Sequence, residues 1–150
     1  MKHALALVAC VAGWPLLANA NARRETVVHG SLTTEVVPCT GLCTESDWNG
    51  SLDGTSQFTL ISLEDAGIPD ANISRFHGDL VLSTARGDLI GQDSGVWNLD
   101  TGQYVDVYTV TSGTGAFEGA TAVILLWGTL DPATGQGLSH YRGVVIGGRR

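Results

Sequence analysis

From about residue 26 onward, apolar and polar residues alternate in short runs that are separated by turns rich in Gly and Asp. Alternation with a period of two is typical of β-strands that bury one face. Eight runs have this character, at residues 26–37, 47–52, 57–63, 73–85, 89–98, 104–111, 122–130 and 139–146. No amphipathic helix of useful length lies between them. The pattern predicts an all-β fold in which eight antiparallel strands close into a barrel.

Two of these runs break the alternation, since residues 122–127 and 144–146 are apolar at every position. A strand that is apolar on both faces needs cover on both faces. Because no helix is predicted, a second subunit is the simplest cover. We therefore expect a homo-oligomer, a dimer or a trimer, with the strands near Ile124 and Val145 at its interface. The alternative is a surface with scattered exposed apolar residues, which is common in monomers.

The first 22 residues have the pattern of a secretory signal peptide. A short basic start at Lys2 is followed by an apolar stretch, and small residues precede two possible cleavage points near Ala20 and Ala22. The expected organisation is a signal peptide at 1–22 and one β-barrel domain at 23–150, with a secreted or periplasmic location. The apolar stretch is too short for a membrane span, and no later segment could cross a bilayer. Lipoprotein processing at Cys10 is a less favoured alternative.

Two cysteines remain after the predicted cleavage, Cys39 and Cys43. In an oxidising compartment so close a pair favours a small disulfide loop. Gly41 lies between them and would help the chain close a tight ring. The alternative is a pair of free thiols in a cytosolic protein, and the predicted signal peptide argues against it.

Composition and charge exclude several classes of function. The chain is 43% apolar and 15% charged, and its formal net charge is −7. An acidic chain without basic clusters is a poor binder of nucleic acid, because phosphate contacts need Arg or Lys. His29, His77 and His140 stand far apart in the sequence, so no metal site is expected. We expect no cofactor.

A few polar side chains fall where a barrel cavity could use them. Asp106 and Tyr108 share one face of the sixth run with Tyr104, and His140 and Arg142 share a face of the last run. An acid, a phenol and a guanidinium in one apolar cavity could orient or protonate a reactive intermediate. We take Asp106, Tyr108 and Arg142 as candidate catalytic residues. For each of them the alternative is a solvated surface position.

Three further residues are candidates for ligand binding on the same argument. Tyr104 and His140 share strand faces with the candidate catalytic residues. His77, beside Gly78, could line the mouth of a barrel. The alternative for His77 is a hydrogen-bonded histidine with a structural role.

The turn at residues 113–121 (GTGAFEGAT) carries a family resemblance. It resembles the glycine-rich hairpin of allene oxide cyclase-like and dirigent-like barrel proteins, and Tyr141-Arg142-Gly143 in the last run is also similar. The resemblance implies an eight-stranded barrel, often a dimer or trimer. It also implies an apolar cavity in which a reactive intermediate is cyclised or coupled without a cofactor. The glycine spacing does not fit a phosphate-binding loop, because a strand follows where a helix is required.

Three functions remain open on the sequence. The first is a secreted barrel that binds a small apolar ligand. The second is a cofactor-independent cyclase, isomerase or dirigent-like stereochemical guide. The third is a structural envelope protein whose barrel is filled by side chains.

Overall fold

The computed structural model describes residues 24–148, which form one closed barrel of eight strands. Each strand pairs antiparallel with the next along the chain, and the first strand also pairs with the last, so the predicted fold class is confirmed. The predicted signal peptide lies outside the described residues, and those residues contain no helix long and apolar enough to span a bilayer. The strands are β1 Glu25–Val37, β2 Cys43–Gly50, β3 Gly54–Asp65, β4 Ile73–Thr84, β5 Gly87–Asn98, β6 Gln103–Gly113, β7 Thr121–Leu130 and β8 Gln136–Ile146.

The alternation seen in the sequence becomes an inner and an outer face of the barrel. On β6, Asp106, Tyr108 and Val110 point inward and are buried, while Val105 and Val107 point outward and are exposed. The other strands follow the same rule, because successive side chains of a strand lie on opposite faces. The core is therefore the lumen of the barrel, lined by every second residue of each strand.

The largest difference from the predicted strands is at β2. It was expected at residues 47–52, but it begins at Cys43 and ends at Gly50. Thr44 and Ser46 point into the lumen although they are polar, so hydrophobicity alone did not mark them as a strand. Leu52 lies in the turn after β2, where it is buried and its backbone N–H donates to the Tyr141 hydroxyl at 2.9 Å.

One end of the barrel is packed solid. Trp48, Tyr108 and Tyr141 are the largest fully buried side chains, and Leu82, Leu89 and Ile124 pack with them. The glycine-rich turn between β6 and β7 covers this end. Its single 3₁₀ turn, Gly115–Phe117, directs Phe117 into the core, and Gly115 adopts a left-handed conformation (φ 57°) that favours glycine. The turn is a hairpin corner, as predicted, and its Phe117 side chain closes this end of the lumen.

The other end of the barrel carries the disulfide. Cys39 and Cys43 are bonded, with their Cα atoms 6.0 Å apart, which confirms the predicted pair. The bond closes the loop between β1 and β2, in which Gly41 has φ 106°. The backbone carbonyl of Leu42 accepts a hydrogen bond from the Leu60 N–H at 3.0 Å, which ties the loop to β3. A formed disulfide is compatible with an extracellular, oxidising compartment.

The outer surface of the barrel has one apolar and one polar side. On β2 and β3 the outward residues are mostly polar, such as Glu45, Asp47 and Gln57. Ile124 and Val145, named above as markers of an interface, themselves point into the lumen and are buried. Their strands and the neighbouring strands instead present an exposed row that we call the outer apolar strip, formed by Val27, Val96, Val105, Val107, Val123, Leu125 and Trp127.

The role of Phe117 in closing the lumen can be tested by truncating its side chain. Phe117→Ala should lower the free energy of unfolding by about 3–5 kcal/mol, because a buried aromatic ring is replaced by a cavity. Urea denaturation followed by tryptophan fluorescence would measure it. Ile61→Ala is the matched control, since Ile61 is 58% exposed on β3 and its truncation should change stability by less than about 1 kcal/mol. Equal effects of the two substitutions would show that Phe117 does not plug the barrel.

Candidate functional site

The end of the barrel near the disulfide contains a partly open cavity of about 70 Å³. Its wall is mainly apolar and aromatic, with a few small hydroxyl groups and two carboxyl groups. Pockets that enclose drug-sized ligands usually measure about 300–1,000 Å³, so this one suits a small molecule or one end of a longer molecule. The residues that line it include Leu42, Thr44, Phe58, Phe76, Asp93, Trp97, Tyr104, Asp106 and Leu126.

Asp93 on β5 and Asp106 on β6 are the two acids of this lining. They are 5% and 4% exposed, and their side chains are close enough for each to influence the pKa of the other. Atom Oδ1 of each residue is buried without a hydrogen-bond partner. An unpaired buried polar atom is costly, and such atoms are uncommon in folded proteins. Each of these two oxygens can still accept a hydrogen bond.

A glycine makes room for this pair. Gly95 lies directly opposite Asp106 in the β5–β6 register. A Cβ atom at position 95 would meet the Asp106 Cβ at 2.5 Å, which is closer than two carbon atoms can approach. The nearest atom to that Cβ would be the backbone carbonyl oxygen of Val105, so the glycine allows β5 and β6 to approach closely where Asp106 enters the lumen.

Burial sets the protonation of the pair. Removal from water raises the pKa of Asp93 to about 6, against the opposing effect of its hydrogen bonds with Asp106 and the Ser94 backbone. Burial likewise raises the pKa of Asp106 well above its usual range, and the negative charge of Asp93 and their shared hydrogen bond raise it further. Near neutral pH Asp106 is therefore the protonated member of the pair, and Asp93 is largely ionised. The pair then carries one negative charge.

The hydroxyl groups of the lumen largely satisfy one another. The Tyr104 and Ser139 hydroxyl oxygens lie 2.7 Å apart, and those of Thr34 and Ser46 lie 2.9 Å apart. Burial raises the pKa of Tyr104 above its ordinary value, and the negative charge of the nearby Asp106–Asp93 pair adds to the effect, so its phenol is neutral. Tyr104 is a hydrogen-bonding group at the cavity wall and carries no charge there.

The structure brings together only some of the residues that the sequence singled out. Asp106 and Tyr104 both line the cavity, as the candidate assignments require. Tyr108 shares their inward face but belongs to the packed end, where its hydroxyl donates to the Leu89 carbonyl at 2.6 Å. That hydrogen bond gives Tyr108 a structural role in the core.

The other three candidates point away from the lumen. His77 lies on the outer side of β4, with its Nδ1 2.7 Å from the Ser94 Oγ. His140 and Arg142 are exposed on the outer face of β8, beside the outer apolar strip, and the rings of His140 and Trp127 are 5.9 Å apart. Their inward-facing neighbours on β8 are Ser139 and Tyr141, so neither side chain can reach the carboxyl pair.

Sequence reasoning missed Asp93 and Ser139. A signal for Asp93 exists, since it shares the face of β5 that carries Leu89 and Trp97. An acid on an otherwise apolar face is unusual and marks a candidate site. Ser139 had no comparable signal, because a serine on a core face is ordinary.

The cavity does not have the composition of a metal site. Among residues 24–148, no three His, Cys, Asp or Glu side chains cluster as metal ligands would. The two carboxyl groups are surrounded by apolar side chains, whereas calcium takes about 6–8 oxygen ligands. The arrangement is suited to hydrogen bonding, charge pairing and proton transfer.

Comparison with family models, with curated proteins and with solved structures gives no match. The resemblance to allene oxide cyclase-like and dirigent-like barrels therefore depends on the glycine-rich turn, on Tyr141-Arg142-Gly143 and on the strand order.

The carboxyl pair should make stability depend on pH. Both acids bind protons more tightly in the folded than in the unfolded chain, so the free energy of unfolding falls as pH rises from about 4 through about 6. Asp93 alone accounts for up to about 3 kcal/mol of this loss. The double variant Asp93→Asn/Asp106→Asn should lose less stability than wild type over that range in urea titrations at pH 4 and pH 7.

Asp79→Asn is the control for that measurement, because Asp79 is exposed on the outer side of the neighbouring strand β4. It should keep the pH dependence of the wild-type protein. If the double variant keeps the wild-type dependence as well, the raised pKa values assigned to the pair are wrong.

Proposed function

We propose that the protein is a secreted or periplasmic barrel that binds a small, largely apolar molecule in the cavity beside Asp93 and Asp106. The observation that carries this proposal is the pair of buried, unpartnered carboxyl oxygens in an otherwise apolar cavity. Binding pockets commonly combine apolar walls with a few convergent polar groups. The presence of this cavity favours ligand binding over a structural barrel filled by side chains.

A second candidate function is cofactor-independent cyclisation or isomerisation, as the resemblance implies. It is supported by the protonated acid Asp106 beside the carboxylate of Asp93, which together could donate and accept a proton in an apolar site. The outward position of Arg142 leaves that chemistry without the guanidinium expected from the sequence. We therefore rank catalysis below binding.

We also propose that the outer apolar strip is covered by a second copy of the chain. Its members on β5, β6 and β7 are cross-strand neighbours, and Val27 on β1 joins them across Val144 of β8. Val123, Leu125 and Trp127 are each at least 40% exposed. Contiguous apolar patches on a barrel surface often mark protein contacts. The contrast with the polar outer surface of β2 and β3 gives the barrel one side suited to self-association.

Ligand binding can be tested with a neutral probe. Benzyl alcohol titrated into the isotopically labelled protein should shift the indole N–H resonance of Trp97, which lines the cavity, in a saturable way. Thr44→Phe should weaken binding at least about tenfold, because Thr44 is buried in the cavity wall and a phenyl ring would occupy the space.

Thr55→Phe is the matched control for that titration, since Thr55 is exposed on the outer face of β3. It should bind the probe as the wild-type protein does. Unchanged binding by Thr44→Phe, in a sample whose spectrum shows it folded, would place the ligand outside the cavity and contradict the proposal.

Self-association can be tested by light scattering during size-exclusion chromatography. The wild-type protein should elute with a molar mass of two or three chains, and Leu125→Glu should shift it to one chain, because a charge in an apolar interface is not solvated. Gln57→Glu, on the polar outer face of β3, should leave the mass unchanged. A wild-type monomer at about 100 μM would refute the proposal of an oligomer.

A further inference from the structure

We infer that the ligand is a small apolar amine, bound as its ammonium ion with N–H groups donated to the free Oδ1 atoms of Asp93 and Asp106. This inference rests on the proposed binding function and narrows it to one chemical class. Both oxygens are acceptors, they belong to side chains at least nine-tenths buried, and both side chains line the same cavity. A ligand that satisfies them must bring hydrogen-bond donors.

Charge distinguishes an amine from a neutral donor. Near neutral pH the pair keeps one negative charge inside an apolar wall. Within residues 24–148, the cavity lining contains no Arg, Lys or His that could balance this charge. An isolated buried charge is expensive, whereas a paired and hydrogen-bonded one is tolerated. An ammonium group supplies the missing positive charge and the donors together.

The remaining titratable groups of the lumen do not change this balance. Tyr104, Tyr108 and Tyr141 face inward from β6 and β8, and burial raises the pKa of each. All three are therefore neutral at physiological pH. The inward side chains that β4 and β7 contribute beside the pair, such as Phe76, Leu80 and Leu126, are apolar.

The apolar lining and the volume of the cavity indicate the chemistry and size of the rest of the ligand. Phe58, Phe76 and Trp97 offer aromatic surface around the carboxyl pair, and Leu42 and Leu63 lie in the same lining. With about 70 Å³ of space, the cavity suits one branched or cyclic hydrocarbon group attached to the amine. A longer molecule would have to extend past the disulfide loop into solvent.

The test compares ligands of equal shape and different charge. Isobutylamine, cyclopentylamine and benzylamine are titrated into the wild-type protein at pH 7.5 beside isobutanol, cyclopentanol and benzyl alcohol, with the Trp97 indole resonance as readout. The best amine should bind about 10–100-fold more tightly than its alcohol, the range expected for charge-assisted hydrogen bonds. Asp93→Asn/Asp106→Asn should abolish that preference, and Asp79→Asn should preserve it.

A second measurement does not depend on any variant. Binding of an ammonium ion favours the ionised form of Asp93, so at about pH 5.5, below its pKa of about 6, Asp93 should release its proton. Calorimetry of amine binding at that pH in two buffers of different ionisation enthalpy should therefore report up to one proton released, and the affinity should rise from pH 5 to pH 7.

Each outcome separates the inference from the function on which it rests. Alcohols that bind as tightly as the matched amines, without proton release, would overturn the amine assignment and leave ligand binding intact. If neither series binds at any size, both the inference and the proposed function are wrong. Preference for the amines in wild type that persists in the Asp93→Asn/Asp106→Asn variant would also overturn the assignment, because the carboxyl pair would not be its cause.

Discussion

Closure of the sheet by the pairing of β1 with β8 is the constraint on which the rest of the structure depends. A closed antiparallel barrel has no free edge, and its alternating side chains must point either into one narrow lumen or to the outside. With eight strands, the lumen is just wide enough for side chains to fill it or to leave space for one small molecule. The size of each inward residue therefore decides where space remains.

The two ends of this lumen differ in the size of the side chains that fill them. Large side chains, Trp48, Tyr108 and Tyr141, occupy one end, and the turn carrying Phe117 covers it. Toward the disulfide, Thr34, Thr44 and Ser46 take inward positions, and their smaller volumes leave a cavity. The packed end supplies the buried apolar area that stabilises the barrel. It thereby allows the other end to hold two acids whose burial is unfavourable.

Much of the fold was predictable from the sequence because its physical cause is local. The period-two pattern gave the number of strands and the face of Asp106 and Tyr104, and the glycine-rich turn gave the corner before β7. The site was predicted less well. The signal for Asp93 is a single acid on the apolar face of β5, which is weaker than a cluster of polar residues. The face of β8 that carries Arg142 and His140 is outward, and the sequence pattern of that strand does not distinguish its inner from its outer face.

By itself, the sequence determined the eight alternating strands, the Cys39–Cys43 pair and the shared face of Asp106 and Tyr104, since each depends on neighbours along the chain. Only the tertiary structure decided that Asp93 and Asp106 meet in the lumen, that Phe117 closes one end and that the cavity lies at the other. These features depend on the register between strands, which places Asp106 opposite Gly95 and diagonal to Asp93. Register and lumen volume are properties of the closed sheet, and no single strand contains them.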